Sequence, residues 1–270
     1  MLGPAVAGIL LIRGQPGLAI WLDAATFLLS AGALALLPRL NPVPEGSDAE
    51  GTGRMTSQWR RDLRMVRDFL RGHRVVLGVM AGFFAIVVFG SAADAQEVVF
   101  ARRALGLSQS GYGYLVSAAG SGYVAGALLS YFVGPKLSVR VALGTGVVLS
   151  AASYLFYARS TTFGTAALAL VLLGIFQAIA NVGFGVYLQE SLPTTVIGRI
   201  MGTVQAGRNG LTVLAILVGG ILAHTAGVRW MMTGAALAAL AAGLWLTGLC
   251  LGSGAAARFA SSDVRRQASM

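Results

Sequence analysis

The chain has 270 residues, of which 56% are hydrophobic and 11% charged, with a formal net charge of +10 and a mean hydropathy of +0.74. A soluble domain carries about 25% charged residues, so this chain cannot cover its exterior with charge and reads as a polytopic membrane protein. The positive balance comes from 19 Arg and one Lys; because these cluster between apolar runs, they report orientation in a bilayer and not nucleic-acid binding.

A helix crossing about 30 Å of hydrocarbon needs roughly 20 apolar residues. The run 2–12 is too short to span, so Met1 is expected to be a cut edge. Seven windows reach or approach spanning length: 18–37, 75–93, 115–133, 141–158, 163–188, 200–223 and 230–251. Short turns such as "GPKLSVR", "ARSTT" and "HTAGVR" separate the later ones.

The connection 39–74 carries eight arginines. Together with Lys136, Arg140, Arg199, Arg258, Arg265 and Arg266 it places fourteen cations on one side of the membrane, against Arg13, Arg102, Arg103, Arg159 and Arg229 on the other. The cation-rich side is cytoplasmic. The expected location is therefore a bacterial cytoplasmic (inner) membrane, multi-pass, with the C-terminus in the cytoplasm. Within the connection, "NPVPEGSDAEGTG" is a linker unable to build a core. "WRRDLRMVRDFLR" places Trp59, Leu63, Val66 and Phe69 on one stripe among arginines, which suits an interfacial helix on anionic lipid.

Ionisable and amide groups inside a bilayer are costly, and each raises a functional question. Asp23 lies early in the first span. The 19 residues 75–93 give about 28 Å of helix, so Asp94 and Glu97, three residues apart on one helix face, are expected at the outer surface, lining an external mouth near Arg102 and Arg103. A proton-carrying role is the alternative. Gln177 and Asn181 share a face near the centre of their span, where they either hydrogen-bond neighbouring helices or line a pathway. Gln205, Arg208 and Asn209 share another face. Arg208 either snorkels to the inner surface or points into a cavity. Gly120, Gly122 and Gly126 include a GxxxG step, which lets helix backbones approach closely.

Enzyme chemistry has no foothold. His73 and His224 fall on opposite membrane faces, "AGSG" around Ser121 is not an intramembrane serine-protease motif, and no metal cluster or phosphate loop is present. No enzyme activity, cofactor or metal is expected.

Four stretches carry a family resemblance. "LGPAVAG" resembles the end of an antiporter motif with a GPxxGG core, with Gly3, Pro4 and Gly8 in place and Ala7 replacing a glycine. "LDAATFLLSAGALALLP" and "ARRALGLSQSGYGYLVSAAGSGYVAGALL" resemble a sixth helix and a seventh-to-eighth junction. "LQESLPTTVIGRIMG" resembles a loop that usually reads P-x-x-x-R-G-R-V-x-G, with Ile197 in place of its first arginine. The chain thus resembles the bacterial drug-efflux branch of the major facilitator superfamily, which includes enterobactin-exporter-like and macrolide-efflux-like proteins.

The resemblance implies an all-α fold. Residues 1–38 would be a remnant of an N-terminal half (partial helix five, helix six), 39–74 a cytoplasmic linker, 75–252 the C-terminal six-helix half, and 253–270 a cytoplasmic tail. It implies a secondary active efflux transporter of amphiphilic small molecules such as drugs or siderophores, working by alternating access and expected to exchange them for protons. Gln177, Asn181, Arg208 and Asn209 are the cavity candidates, and Asp23, Asp94 and Glu97 the coupling or outer-gate candidates. By the same resemblance Glu190 and Arg199 would belong to a cytoplasmic gate, and Gly3, Pro4 and Gly8 would shape helix five. Expected partners are a small-molecule substrate, protons, the lipid bilayer and a missing N-terminal half, with no nucleic acid. The alternative is a non-transporting truncated fragment, or a half-transporter that needs its partner half.

Overall fold

The computed structural model describes residues 16–36, 71–134, 137–192 and 194–267. The antiporter-motif remnant at Gly3, Pro4 and Gly8, the linker, and the amphipathic stretch around Trp59 lie outside the described residues. Within them the chain is helical throughout: α1 (Pro16–Ala35), α2 (Arg74–Asp94), α3 (Glu97–Arg103), α4 (Gln109–Val133), α5 (Val139–Arg159), α6 (Phe163–Ser191), α7 (Thr194–Thr225) and α8 (Val228–Gln267). Among the described residues, six helices are long and apolar enough to cross a membrane: α2, α4, α5, α6, α7 from Ile200, and α8 as far as Gly252. The fold is that of an all-α polytopic membrane protein.

Local chemistry sets the helix boundaries. Ser108 caps α4 by accepting a hydrogen bond from the Gly111 amide at 3.2 Å. Thr162 and Thr165 form a reciprocal capping box at the start of α6. Gly106 (φ 65°) and Gly227 (φ 91°) take left-handed conformations in the tight turns before α4 and α8. Inside the spans, hydroxyls turn back onto their own helix: Ser117 donates to the Gly113 carbonyl, Ser130 to Gly126 and Ser153 to Leu149. A buried hydroxyl thereby keeps a partner without water.

One expectation is corrected here. Asp94 and Glu97 do not share a helix: α2 ends at Asp94, Ala95 and Gln96 make a turn, and Glu97 opens α3. In α3, Phe100 and Ala101 are fully buried, and the Phe100 ring meets Tyr157 edge-on at 5.1 Å. Burying a phenylalanine contributes about 1.5–3 kcal/mol, enough to bend a terminal turn that contains no strong helix breaker.

Helix packing repeats itself. α4 packs on α6 as α7 packs on α2, α5 on α6 as α8 on α2, and α5 and α8 meet each other. The contacts are therefore two-fold symmetric, α2, α4 and α5 taking the places of α6, α7 and α8, and the two sets of three helices, here called units, interleave. Equivalent helices lie three crossings apart, so the units run in opposite directions, an arrangement known from secondary transporters. The closest approaches are glycine-lined. A methyl at Gly122 would land on the Val171 carbonyl oxygen, one at Gly126 on that of Ile175, and one at Gly174 on that of Ala119. Gly120 beside them is buried.

The apolar core forms two clusters. One gathers Val79, Met80, Phe83, Leu143, Phe184 and Leu246 near the start of α2. The other gathers Ala93, Phe100, Leu115, Tyr157, Leu170 and Met232 near its end. α1 contributes to neither cluster.

Candidate functional site

A cavity of about 180 Å³ occupies the seam between the two clusters. Phe83, Val147 and Ala180 of the first cluster and Ala93, Tyr154 and Ala236 of the second all face it. Its polar groups come from four helices: Ser91 and Asp94 from α2, Ser150 and Tyr154 from α5, Gln177 and Asn181 from α6, and Arg208 from α7. Asp94, Gln177 and Asn181 keep exposed surface, so the cavity opens along one side of the bundle.

The polar groups are ordered along its length. The Phe83 and Phe184 rings stack at 3.8 Å and set a common level for α2 and α6. The Arg208 guanidinium lies 6.0 Å from the neighbouring Phe84 ring, within cation–π range. Counting from Phe184 along α6 at about 1.5 Å per residue, Asn181 stands roughly 5 Å and Gln177 roughly 10 Å further on. Asp94 is ten residues beyond Phe84, about 15 Å away. A cation thus sits at one end, a carboxyl at the other, and neutral amides lie between.

Arg208 donates from Nη2 to Asn209 Oδ1 at 3.0 Å, while its buried Nε has no hydrogen-bond partner among the described residues. Asn181 donates its Nδ2 to the Gln177 backbone carbonyl at 2.8 Å, which leaves its side-chain oxygen for the cavity. At the opposite end Asp94 and Glu97 lie among three tyrosines, Tyr112, Tyr154 and Tyr157. The Tyr154 hydroxyl is close enough to Asp94 to feel its charge, but by geometry neither Tyr154 nor Tyr157 completes a hydrogen bond through its hydroxyl. Glu97 lies just beyond the end of the α2 span and is half-buried. Burial, and then the neighbouring Asp94 carboxylate, push its carboxyl up to about 8.

Residues 95–256, more than half of the chain, match the family model of the Major Facilitator Superfamily. The chain belongs to the major facilitator superfamily. Among curated relatives in the superfamily, an uncharacterised transporter of Bacillus subtilis (strain 168), YfiS, is 23% identical over 237 residues, covering 84% of this chain and 54% of that protein. A putative uncharacterised transporter of Escherichia coli K12, YgaY, is 29% identical over 145 residues, covering 53% of this chain and 36% of that protein. The chain spans about half of the first relative's length and about a third of the second's. No solved structure matches it significantly.

Within this superfamily member the structure gathers some expected residues and separates others. Gln177, Asn181, Arg208 and Asp94 line one cavity. Asn209 does not line it and serves Arg208 through a hydrogen bond. Glu97 is beside Asp94, behind the cavity wall. The groups that face both acids are tyrosine hydroxyls, in place of the expected Arg102 and Arg103, which are exposed on α3. Glu190 is exposed at the end of α6, while the side chains of Arg199 and Asp23 lie outside the described residues. Sequence reasoning missed Tyr112, Tyr154, Tyr157 and Ser150. The i, i+3 spacing of Tyr154 and Tyr157 in a mostly apolar helix was the available signal, and it also fits an ordinary packed core.

Proposed function

We propose that the chain forms the C-terminal half of a secondary active transporter that exports amphiphilic small molecules from the bacterial cytoplasm in exchange for protons. One observation carries this reading: polar side chains from four helices converge on a cavity at the seam of two inverted three-helix units. A cavity bordered by both repeats is where rocking of a facing half against this one would change access to a bound molecule. Phe83, Ile86, Val87 and Phe89 supply the apolar wall an amphiphile needs, and Gln177 and Asn181 orient it.

Asp94 and Glu97 are the coupling candidates. Two carboxyls this close share one proton more readily than they hold two charges, and a proton taken at this end changes the charge facing the cavity. The positive-inside pattern supports a cytoplasmic C-terminus in an inner membrane. The exposed polar face made by Asp94, Gln177 and Asn181 cannot rest on lipid. That favours a facing half as cover, so the half-transporter form of the reading is carried alongside.

The test is accumulation of a fluorescent lipophilic dye in cells expressing the chain, alone and beside a complementary N-terminal half. Lower accumulation than in vector controls, abolished by a protonophore, is the expected result. Accumulation equal to that of vector controls in both arrangements sinks the export reading. If Asn181→Leu and Arg208→Leu both leave efflux intact at equal expression, the cavity is not the pathway.

A further inference from the structure

We infer that Arg208 is an anion-recognising residue and that the cavity takes amphiphilic organic monoanions, molecules with a carboxylate or sulfonate on an apolar body. A guanidinium within the hydrocarbon is expensive unless a countercharge and hydrogen-bond acceptors accompany it. Arg208 faces the cavity, lies over the Phe84 ring and has a buried Nε with no partner among the described residues. Its hydrogen bond to Asn209 orients the guanidinium with a neutral acceptor that supplies no countercharge. A ligand oxyanion in the cavity, accepting a hydrogen bond from the guanidinium, supplies the missing countercharge.

The rest of the cavity sets the remainder of the ligand. Beside Arg208, Phe83 gives an aromatic wall, and Ile86, Val87 and Phe89 extend it along α2. Asn181 and Gln177 follow, with one amide oxygen held open. Asp94 stands about 15 Å from the Arg208 level, where its carboxylate repels a second anionic group. The site therefore selects one anionic head, an apolar body and a neutral or cationic far end. This rests on the transporter reading of the cavity but is tested without transport.

The probes are 1-anilinonaphthalene-8-sulfonate and N-phenyl-1-naphthylamine, which share an aromatic body and differ in the sulfonate. Both are titrated by fluorescence into the full chain in phosphatidylcholine nanodiscs, with empty discs subtracted. Saturable binding of the sulfonate is expected. Arg208→Gln should weaken it at least about ten-fold, Arg208→Lys less, with N-phenyl-1-naphthylamine affinity held within about two-fold. On the unaltered chain, 4-phenylbutyrate should displace the sulfonate dye, whereas 4-phenylbutan-1-ol and 4-phenylbutylamine should not. Unchanged sulfonate affinity in Arg208→Gln, displacement by all three phenylbutyl compounds, or no saturable component overturns the inference. Charge-selective binding without efflux would remove the export reading alone, and efflux with charge-blind binding would remove this one alone.

Discussion

Glu97 is the residue whose chemistry departs most from its type outside the spans. Its folded value of about 8 stands above the ordinary 4.5, because burial and the Asp94 carboxylate both disfavour its charged form. The folded chain holds this proton longer than the unfolded chain does. The stabilisation Glu97 gives is fully present below about 4.5 and is lost as the pH rises through about 8. The melting temperature in detergent should accordingly fall between pH 5 and pH 9. Glu97→Gln should flatten that slope and raise the melting temperature at pH 9 by something on the order of 5 °C. An unchanged slope would remove Glu97 from the acid cluster. The amides Gln177 and Asn181 were legible as a pair, because spacing of four on an apolar helix needs no tertiary information. The tyrosines around Glu97 were not. Their role depends on α3 packing Phe100 against Tyr157 of α5, and nothing within their own helix announces that contact.

Among the helices, glycine spacing in α4 translated directly into geometry. Gly122 and Gly126 fall against the α6 backbone, and Gly174 of α6 returns the contact against α4. A β-carbon at Gly122 meets a carbonyl, which cannot rotate aside as a side-chain tip can. Gly122→Val and Gly126→Val should each therefore cost about 1–3 kcal/mol or more, seen as loss of monodisperse protein on extraction. Gly90→Ala, where a methyl meets open space, should be silent by the same measure. The break between α2 and α3 was not legible, since Ala95 and Gln96 are both compatible with a continuous helix. Burial of Phe100 decided it. A periodicity argument sees the stripe along one helix and not the cap that a neighbouring surface offers at its end.

For the molecule as a whole, the cytoplasmic C-terminus proposed from cation placement is checked by sided labelling. In a Cys250→Ala background, Thr161→Cys in the α5–α6 turn should react with an impermeant maleimide in intact cells. Leu137→Cys in the α4–α5 connection should react only after permeabilisation. Both positions are exposed, so the reverse pattern would overturn the cytoplasmic assignment of the C-terminus. The pairing of α4 with α6 and of α7 with α2 makes the two three-helix units exchangeable in topology, although their sequences show no obvious repeat. Among the described residues, one side of the cavity stays open at Asp94, Gln177 and Asn181.

The sequence by itself determined the solvent and the elements. Too few charges to face water, apolar runs of membrane length and cations gathered in alternate connections leave membrane-spanning helices as the physically available answer. It also marked Gln177, Asn181 and Arg208, because polar groups in hydrocarbon carry their cost wherever the helices pack. Only the tertiary structure decided that these groups share a cavity with Asp94, that Asn209 holds Arg208 while remaining outside it, and that Glu97 lies among tyrosines. Those outcomes depend on which helix faces meet across the seam of the two units. That choice is made by packing between residues distant in sequence, where no local period extends.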